Sequence, residues 1–221
     1  MDTYSSYEEL AQHETEGVDY VIVTRNGPSP IAVIAPHGGG IEPGTADIAD
    51  AVAADQHAFS AFKGIKKAGN ADLHIRSDRF DEPVALRTAA QAVMVVTIHG
   101  CRGDGEQVYV GGRNEDVKMH LLHALNRAGF RAQESLKPGL RGRSPRNICN
   151  RCRTGLGVQI EISKGLRTKM FETISKRSLR KKTDTFYRFV RVIRNVLDEN
   201  QPLNGYPVDA DKKNSVKGIE K

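Results

Sequence analysis

The chain alternates between short apolar runs and longer segments with helical spacing of apolar residues. Residues 18–25 and 31–36 are rich in β-branched and apolar side chains, and the turn-forming sequence NGPSP separates them. We therefore expect two strands that form a hairpin or lie side by side. Residues 93–98 (VMVVTI) are typical of a short strand that is buried on both faces.

A further strand is predicted over residues 156–162, where apolar and polar positions alternate. The alternation places Gln159 and Glu161 on one side of the strand. Three β-branched residues occupy the other side, namely Val158, Ile160 and Ile162. One face of this strand is therefore expected to be polar.

Helix-forming segments separate these strands. Thr45 is expected to cap a helix that follows a glycine-rich loop, and Pro83 precedes a second helix-forming run. Residues 114–128 carry an apolar stripe at helical spacing, and Gly129 is placed to end that helix. Residues 183–198 show the same kind of stripe. Strands interspersed with helices predict an α/β domain.

The size of the chain is typical of one globular domain, with 221 residues of which 38% are hydrophobic. We place this domain at residues 1–200 and expect a disordered tail at residues 201–221, which are polar and contain prolines. No apolar run is long enough for a membrane span, and the acidic N-terminal segment does not resemble a secretory signal. We therefore expect a chain made in the cytoplasm, which reaches any external target by lysis or by a route that the sequence does not reveal.

Charge is distributed unevenly along the chain. Residues 1–110 carry 8 basic and 16 acidic side chains, whereas residues 111–221 carry 25 and 11. Basic residues are dense in residues 131–155, which we predict to be a long binding loop because they are also rich in glycine, proline and asparagine. This density would attract a polyanion, and a solvated basic face explains it equally well. Nucleic acid is not the favoured polyanion, because no recognisable nucleic-acid-binding motif is present.

The three cysteines are too few and too unevenly spaced for a disulfide framework, which indicates a reducing compartment. Cys149 and Cys152 have the spacing of a zinc-binding pair, but no second pair completes the four ligands of a structural site. Arg151 and Arg153 are expected to lower the pKa of these thiols. A designed metal or redox role for the pair is not favoured.

Two histidines follow predicted strands directly, at the position where open α/β sheets place their ligand sites. His37 begins the sequence HGGGIE, so that a flexible glycine loop separates it from Glu42. His99 follows the apolar run VMVVTI, and Glu161 lies near the end of a third strand. A carboxylate within an apolar strand is costly unless it is ionised against a cation or exposed in a cleft.

These four residues together favour a hydrolytic metal site. His37, Glu42 and His99 make a ligand set that leaves the fourth position of zinc for water, and Glu161 has the right chemistry to accept a proton from that water. A helix-borne HExxH site is excluded, because the His-Glu pair near the N-terminus has no second histidine at the required spacing.

Four ordered motifs resemble those of the poly-γ-glutamate hydrolase family of phages and Bacillus. They are HGGGIEPGT (37–45), VTIHG (96–100), NICNRC (147–152) and GVQIEIS (157–163), and the resemblance extends over residues 5–195. It implies a single α/β domain similar to zinc carboxypeptidases, with a mixed open sheet flanked by helices. It also implies that zinc is the cofactor, that His37, Glu42 and His99 are its ligands, and that Glu161 is the general base.

The resemblance implies an anionic polymer, poly-γ-glutamate, as the substrate. Each of its residues carries an α-carboxylate, which arginine side chains bind bidentately. We therefore expect substrate-binding arginines at Arg143 and Arg151 in the predicted loop and at Arg113 on the other side of the cleft. In zinc carboxypeptidases the Asn-Arg pair that binds a terminal carboxylate lies between the metal ligands, whereas the Asn-Arg pair here follows His99. Its position favours an endo-acting enzyme.

Two other functions stay open at this point. A metallo-amidase acting on small N-acyl amino acids would use the same site in a shorter cleft. A non-catalytic basic protein that binds nucleic acid or another polyanion would need no metal, and its affinity would fall steeply with salt. In each case we expect a monomer.

Overall fold

The computed structural model describes residues 2–174 and 180–201 and shows one α/β domain. The strands in this part of the chain are β1 (Tyr20–Arg25), β2 (Ile31–Gly39), β3 (Ala58–Gly64), β4 (Met94–Cys101), β5 (Gln107–Gly112), β6 (Arg131–Glu134) and β7 (Val158–Ser163). The α-helices are α1 (Tyr7–His13), α2 (Thr45–Ala53), α3 (Pro83–Gln91), α4 (Glu115–Arg127), α5 (Lys164–Lys169) and α6 (Asp184–Glu199). Short 3₁₀ turns occur at Asn70–Leu73, Pro138–Leu140 and Ile148–Asn150.

The strands form one mixed sheet in the order β1-β3-β2-β4-β7-β5-β6. Its centre is parallel, because β2 pairs in parallel with β3 and β4, and β4 pairs in parallel with β7. β1 runs antiparallel to β3, and β5 runs antiparallel to β7, while β6 pairs in parallel with β5 at the far side of the sheet. The carboxyl ends of β2, β4 and β7 therefore meet at one edge of the sheet, and the predicted mixed sheet flanked by helices is confirmed.

The predicted pairing of the first two strands is wrong. β3 lies between β1 and β2, and Tyr20 of β1 pairs with Gly64 of β3. The connection from β2 to β3 runs through α2, which makes a parallel unit instead of a hairpin. The sequence of β3, AFSAFKG, contains alanine, serine and glycine, whose β-propensity is low, so burial in the sheet decides its conformation.

Helices cover both faces of the sheet, and alternate strand residues supply two cores. One core contains apolar residues of α2, α4 and α6 against Val96, Ile98 and Ile160. The other core contains apolar residues of α1 and α3 against Ile34 and Val95. Each buried aliphatic or aromatic side chain contributes roughly 1.5–3 kcal/mol, so both layers stabilise the central strands.

Three of the four predicted helix boundaries follow the structure closely. Pro83 is the first residue of α3, Gly129 follows α4 with a φ of 84°, and α6 begins one residue after the predicted start. Thr45 is not a cap: it is the first residue of α2, and its hydroxyl donates to the Glu42 carbonyl at 2.9 Å. The threonine therefore secures the loop before the helix.

The predicted long loop at residues 131–155 is partly structured. It contains β6 and two 3₁₀ turns, and Asn147 and Asn150 are buried. The expected lowering of the thiol pKa values is wrong for Cys149, because burial raises its pKa while Arg151 is exposed. The described cysteines are free and buried.

Among the described residues, no helix is both long and apolar enough to cross a membrane. The tail predicted at residues 201–221 lies outside the described residues apart from Gln201.

Candidate metal centre

The candidate metal centre lies at the sheet edge where the parallel strands β2, β4 and β7 end. His37 and His99 lie within β2 and β4, and His99 is directly opposite Glu161 in the register of β4 and β7. The register of β2 shifts between Ala35 and Gly38, which flank His37. Such irregularities re-aim a side chain at a strand end. The fold therefore brings residues 37, 99 and 161 to one place.

Glu42 reaches this place because the glycine loop folds back on itself. Gly39 has a φ of 69°, and a Cβ atom there would lie 2.2 Å from the Gly64 carbonyl oxygen. The Glu42 amide donates to the His37 carbonyl at 2.9 Å, and the Gly100 amide donates to Glu42 Oε2 at 2.7 Å. These bonds hold the Glu42 carboxylate over the end of β4.

The potential ligand atoms of His37, Glu42 and His99 all lie within 4.8 Å of one another. His37 Nδ1 is 3.1 Å from His99 Nδ1 and 3.2 Å from Glu42 Oε1, and His99 Nδ1 is 3.8 Å from Glu42 Oε2. Two nitrogen ligands about 2.0–2.1 Å from a tetrahedral zinc are roughly 3.3–3.4 Å apart. The residues therefore fit a catalytic zinc site with three protein ligands.

Hydrogen bonds orient the two imidazole rings. His37 Nε2 donates to the Ile75 carbonyl at 2.7 Å, which leaves the Nδ1 lone pair directed at the centre. His99 Nε2 lies 3.4 Å from Ser77 Oγ. Burial and the neighbouring His37 lower the pKa of His99 to about 3, so its ring is neutral and able to bind a metal.

The electrostatics of the centre favour a cation. Burial by itself raises the pKa of Glu42, but His37, His99 and a backbone amide outweigh it and lower this pKa to about 2. Burial opposes a charge on His37, yet the Glu42 carboxylate outweighs burial and raises the pKa of His37. Glu42 is therefore an ionised candidate ligand whose charge attracts a cation to the site.

Glu161 is held by a chain of buried amides. Its side chain is buried, and Gln159 Nε2 donates to Glu161 Oε1 at 2.9 Å. Asn147 Nδ2 in turn donates to Gln159 Oε1 at 2.8 Å. Burial and the charge of Glu42 raise the pKa of Glu161 well above the usual range. A carboxyl group with a raised pKa is suited to accept a proton and to return it.

His74 also belongs to the centre, although no sequence motif indicates it. Its ring centroid is 4.1 Å from that of His37, and its Nε2 is 4.0 Å from Glu42 Oε1. His74 Nδ1 donates to the Asp2 carboxylate at 2.9 Å, which fixes the tautomer and directs the second nitrogen towards Glu42. His74 lies in the connection before α3, where only tertiary contacts bring it to His37.

A family model for poly-γ-glutamate hydrolases matches residues 4–192. The chain belongs to this family. Its relatives in Bacillus subtilis (strain 168) include the UPF0714 protein YndL, which is 38% identical over 194 residues that cover 87% of this chain and 76% of YndL. The UPF0714 protein YmaC is 33% identical over 200 residues that cover 90% of this chain and 85% of YmaC.

Two solved structures resemble this member of the poly-γ-glutamate hydrolase family. A bacteriophage poly-γ-glutamate hydrolase matches with a TM-score of 0.87 and 32% identity, over 90% of this chain and 98% of the phage chain. YndL in an apo, zinc-free form matches with a TM-score of 0.84 and 38% identity, over the same shares of the two chains. The family and fold class predicted from the four motifs are therefore confirmed.

Arg113 lies at the opposite edge of the sheet from the metal centre of this poly-γ-glutamate hydrolase family member. It follows β5, whose Tyr109 pairs with Glu161 and whose Gly112 pairs with Val158. Arg113 lies four positions after Tyr109, which corresponds to roughly 13 Å along an extended strand. The structure does not bring Arg113 to Glu161.

The other two predicted arginines also lie apart from the ligand set. Arg143 Nη2 forms ion pairs with Glu115 Oε1 at 3.0 Å and with Glu134 Oε1 at 3.2 Å. Arg151 is exposed and follows Asn150, whose side-chain oxygen accepts from the amide that precedes β7. The site therefore unites the predicted ligands with Glu161 and leaves these arginines on the surrounding surface.

Proposed function

We propose that this chain is a zinc-dependent hydrolase that cuts γ-glutamyl amide bonds within poly-γ-glutamate. The observation that carries this proposal is the convergence of three potential zinc ligands with a buried glutamate, in a chain of the poly-γ-glutamate hydrolase family. The existence of a zinc-free form of YndL, a relative with 38% identity, supports zinc as the metal.

His37, His99 and Glu42 would hold the ion through two Nδ1 atoms and one carboxylate. When bound, zinc lowers the pKa of a coordinated water and so supplies a nucleophile at neutral pH. The chain's own contribution is to keep both rings in the tautomer that presents Nδ1, through the Ile75 carbonyl in the case of His37. Burial of both histidines keeps the local dielectric low, which strengthens each of these interactions.

Glu161 is the proposed general base. It accepts the proton of the attacking water while the water oxygen bonds to the amide carbon. It then delivers that proton to the leaving nitrogen as the carbon–nitrogen bond breaks. The bond from Gln159 fixes the carboxylate in one orientation, so the same oxygen faces the reacting atoms in both steps.

The substrate chain would extend beyond the metal centre over the basic surface. Arg113, Arg143 and Arg151 are proposed to bind α-carboxylates that lie several residues from the cleaved bond. Contacts so far from the cleaved bond are expected for an enzyme that cuts the polymer internally. We propose that it acts as a monomer. An enzyme of this kind, made in the cytoplasm, would meet external polymer after lysis.

The test is the size distribution of poly-γ-glutamate after incubation with purified protein. We expect rapid shortening into fragments of intermediate size, loss of this activity with a chelator, and recovery when zinc is added. The variant E161Q is expected to retain stoichiometric zinc and to lose at least about a thousandfold in kcat, since it cannot accept a proton. E82Q is the matched control, because Glu82 is an equally buried glutamate that caps α3.

Intact polymer with zinc-loaded protein would contradict the proposal. Activity on monomeric N-acyl amino acids alone would then support the small-amide function. Salt-sensitive polyanion binding without zinc would support a binding protein. Release of single residues from a chain end would contradict the internal cut.

A further inference from the structure

Arg167 is a buried arginine that the proposed reaction does not use. It lies in α5, is 6% exposed, and takes part in no ion pair within 4.0 Å among the described residues. Burying a guanidinium without a contacting carboxylate is unfavourable unless its N–H groups are satisfied. The partners of those groups therefore explain why the residue is there.

All three nitrogens of Arg167 donate to backbone carbonyls of the segments that carry the site. Nε donates to the Ile162 carbonyl at 3.1 Å, Nη1 to the Pro43 carbonyl at 2.7 Å, and Nη2 to the Cys101 carbonyl at 3.4 Å. Ile162 directly follows the proposed base, and Pro43 directly follows one ligand. Cys101 lies two residues after the ligand in β4.

The surrounding chain is fitted to this guanidinium. Gly100 packs against it so closely that a Cβ atom would lie 2.6 Å from Arg167 Cζ. Gly100 also donates its amide to Glu42, so one residue contacts both the ligand and the arginine. Glu42 and Glu161 act on Arg167 through space, and its positive charge partly balances the half-buried carboxylate of Glu42 and the buried carboxylate of Glu161.

We propose that Arg167 is a positioning residue of the metal centre. Its planar guanidinium donates to the Glu42 loop, to the end of β4 and to the end of β7. These three hydrogen bonds hold the segments in the arrangement that would bind zinc. Lysine has a single flexible ammonium group and cannot span three carbonyls in fixed directions. The inference rests on the proposed zinc site but not on the identity of the substrate.

The test is direct zinc binding to the full chain, by competition with a chromophoric chelator. For R167K we expect zinc affinity to fall about 10–100-fold, the range found when groups that orient metal ligands are removed. G100A is the second variant, because it displaces the guanidinium without changing charge. Cobalt-substituted protein reports the coordination geometry, and we expect both variants to alter its visible spectrum relative to the unmodified chain.

R25K is the matched control. Arg25 also donates to a backbone carbonyl, that of Ala54, through Nε and Nη2, and it lies at the opposite edge of the sheet. We expect R25K to bind zinc like the unmodified chain. Equal zinc affinity and cobalt spectra for folded R167K and G100A would overturn the positioning role. Tighter zinc binding by R167K would also overturn it, since the three hydrogen bonds of the guanidinium would then oppose the arrangement that binds zinc.

Failure of the proposed function gives a different result. If the unmodified chain binds no zinc, the metal centre itself is refuted. If the unmodified chain and both variants bind zinc equally well, only the role of Arg167 is refuted.

Discussion

Gln159 connects two parts of the molecule that are distant in sequence. Its amide nitrogen donates to Glu161, and its amide oxygen accepts from Asn147. The nitrogen also lies 3.3 Å from the Leu140 carbonyl, in the segment that carries the basic side chains. The orientation of the proposed base therefore depends on the packing of that segment.

Replacing Gln159 with leucine removes the donor to Glu161 while keeping most of the side-chain volume. A hydrogen bond to a charged group contributes about 1.5–3 kcal/mol, so we expect kcat for poly-γ-glutamate to fall roughly 10–100-fold. KM and zinc content are expected to stay unchanged, because the Gln159 side chain is buried and, among the described residues, its hydrogen bonds go to Glu161, Asn147 and Leu140 and not to the candidate ligands.

Steady-state kinetics and metal analysis of Q159L check this expectation. Q133L is the control, since Gln133 is an exposed glutamine in β6. Unchanged kcat in Q159L would show that Glu161 needs no such support. Loss of zinc would show that Gln159 acts on the ligand set instead.

For individual residues of the site, the sequence predicts those at strand ends but not those that reach the site only through tertiary contacts. His37, His99 and Glu161 follow or end apolar runs, so their meeting at one sheet edge follows from parallel pairing. His74 and Arg167 lie in polar stretches without a motif. They reach the centre only because separate segments fold over the strand ends, which no local pattern encodes.

The connection between α2 and β3 is held by a buried histidine. His57 is 1% exposed, and its Nδ1 lies 2.6 Å from Ser29 Oγ. The Ile31 amide donates to the same serine oxygen at 3.2 Å. Burial lowers the pKa of His57, in keeping with a neutral ring.

This histidine makes stability depend on pH. Its pKa in the folded state is below the unfolded value of about 6.5, so the unfolded chain binds more protons at lower pH. The free energy of unfolding is therefore expected to fall as pH drops below about 6.5. In H57Q we expect the loss between about pH 7.5 and about pH 5.5 to be smaller by on the order of 1 kcal/mol.

Urea unfolding at the two pH values measures this difference. H123Q serves as the control, because His123 is an exposed residue of α4. The same pH dependence in H57Q and in the unmodified chain would contradict the role of His57. The histidines of the metal centre contribute equally to the pH dependence of H57Q and of the unmodified chain, so the difference between the two reports His57.

Elements with strong end signals were predictable in advance. α4 and α6 have long apolar stripes, and Gly129 supplies the left-handed residue that ends α4. β3, β5 and β6 were missed because they contain alanine, glycine and polar residues, which weaken the strand pattern. Their strand conformation comes from pairing with neighbours whose order the chain pattern does not reveal.

The whole molecule presents basic side chains at both edges of its sheet. Arg102 is exposed and directly follows β4, at the edge of the metal centre. Arg113 is exposed at the other edge. A long anionic polymer is able to contact both arginines. A short γ-glutamyl oligomer bound at the metal centre reaches Arg102 but not Arg113.

We therefore expect R102A to raise KM for both short and long substrates by about fivefold, which corresponds to about 1 kcal/mol for an exposed charge pair. R113A is expected to raise KM for the long polymer only. R127A is the control. Arg127 is exposed at the end of α4, which packs with α2 and α6 on one face of the sheet, away from both arginines that are tested. Equal effects of R113A on KM for both substrates would contradict the proposal that only a long polymer reaches Arg113.

The order of the strands along the chain has a consequence for synthesis on the ribosome. All three proposed ligands, His37, Glu42 and His99, are translated before Glu161, and Arg167 follows later still. β2 and β4 pair with each other, so the ligand set can assemble once residue 101 has left the exit tunnel. A nascent chain would thus bring the three proposed ligands together first, and it would gain both the proposed base and Arg167, which we propose to position those ligands, only after β7 and α5 have been translated.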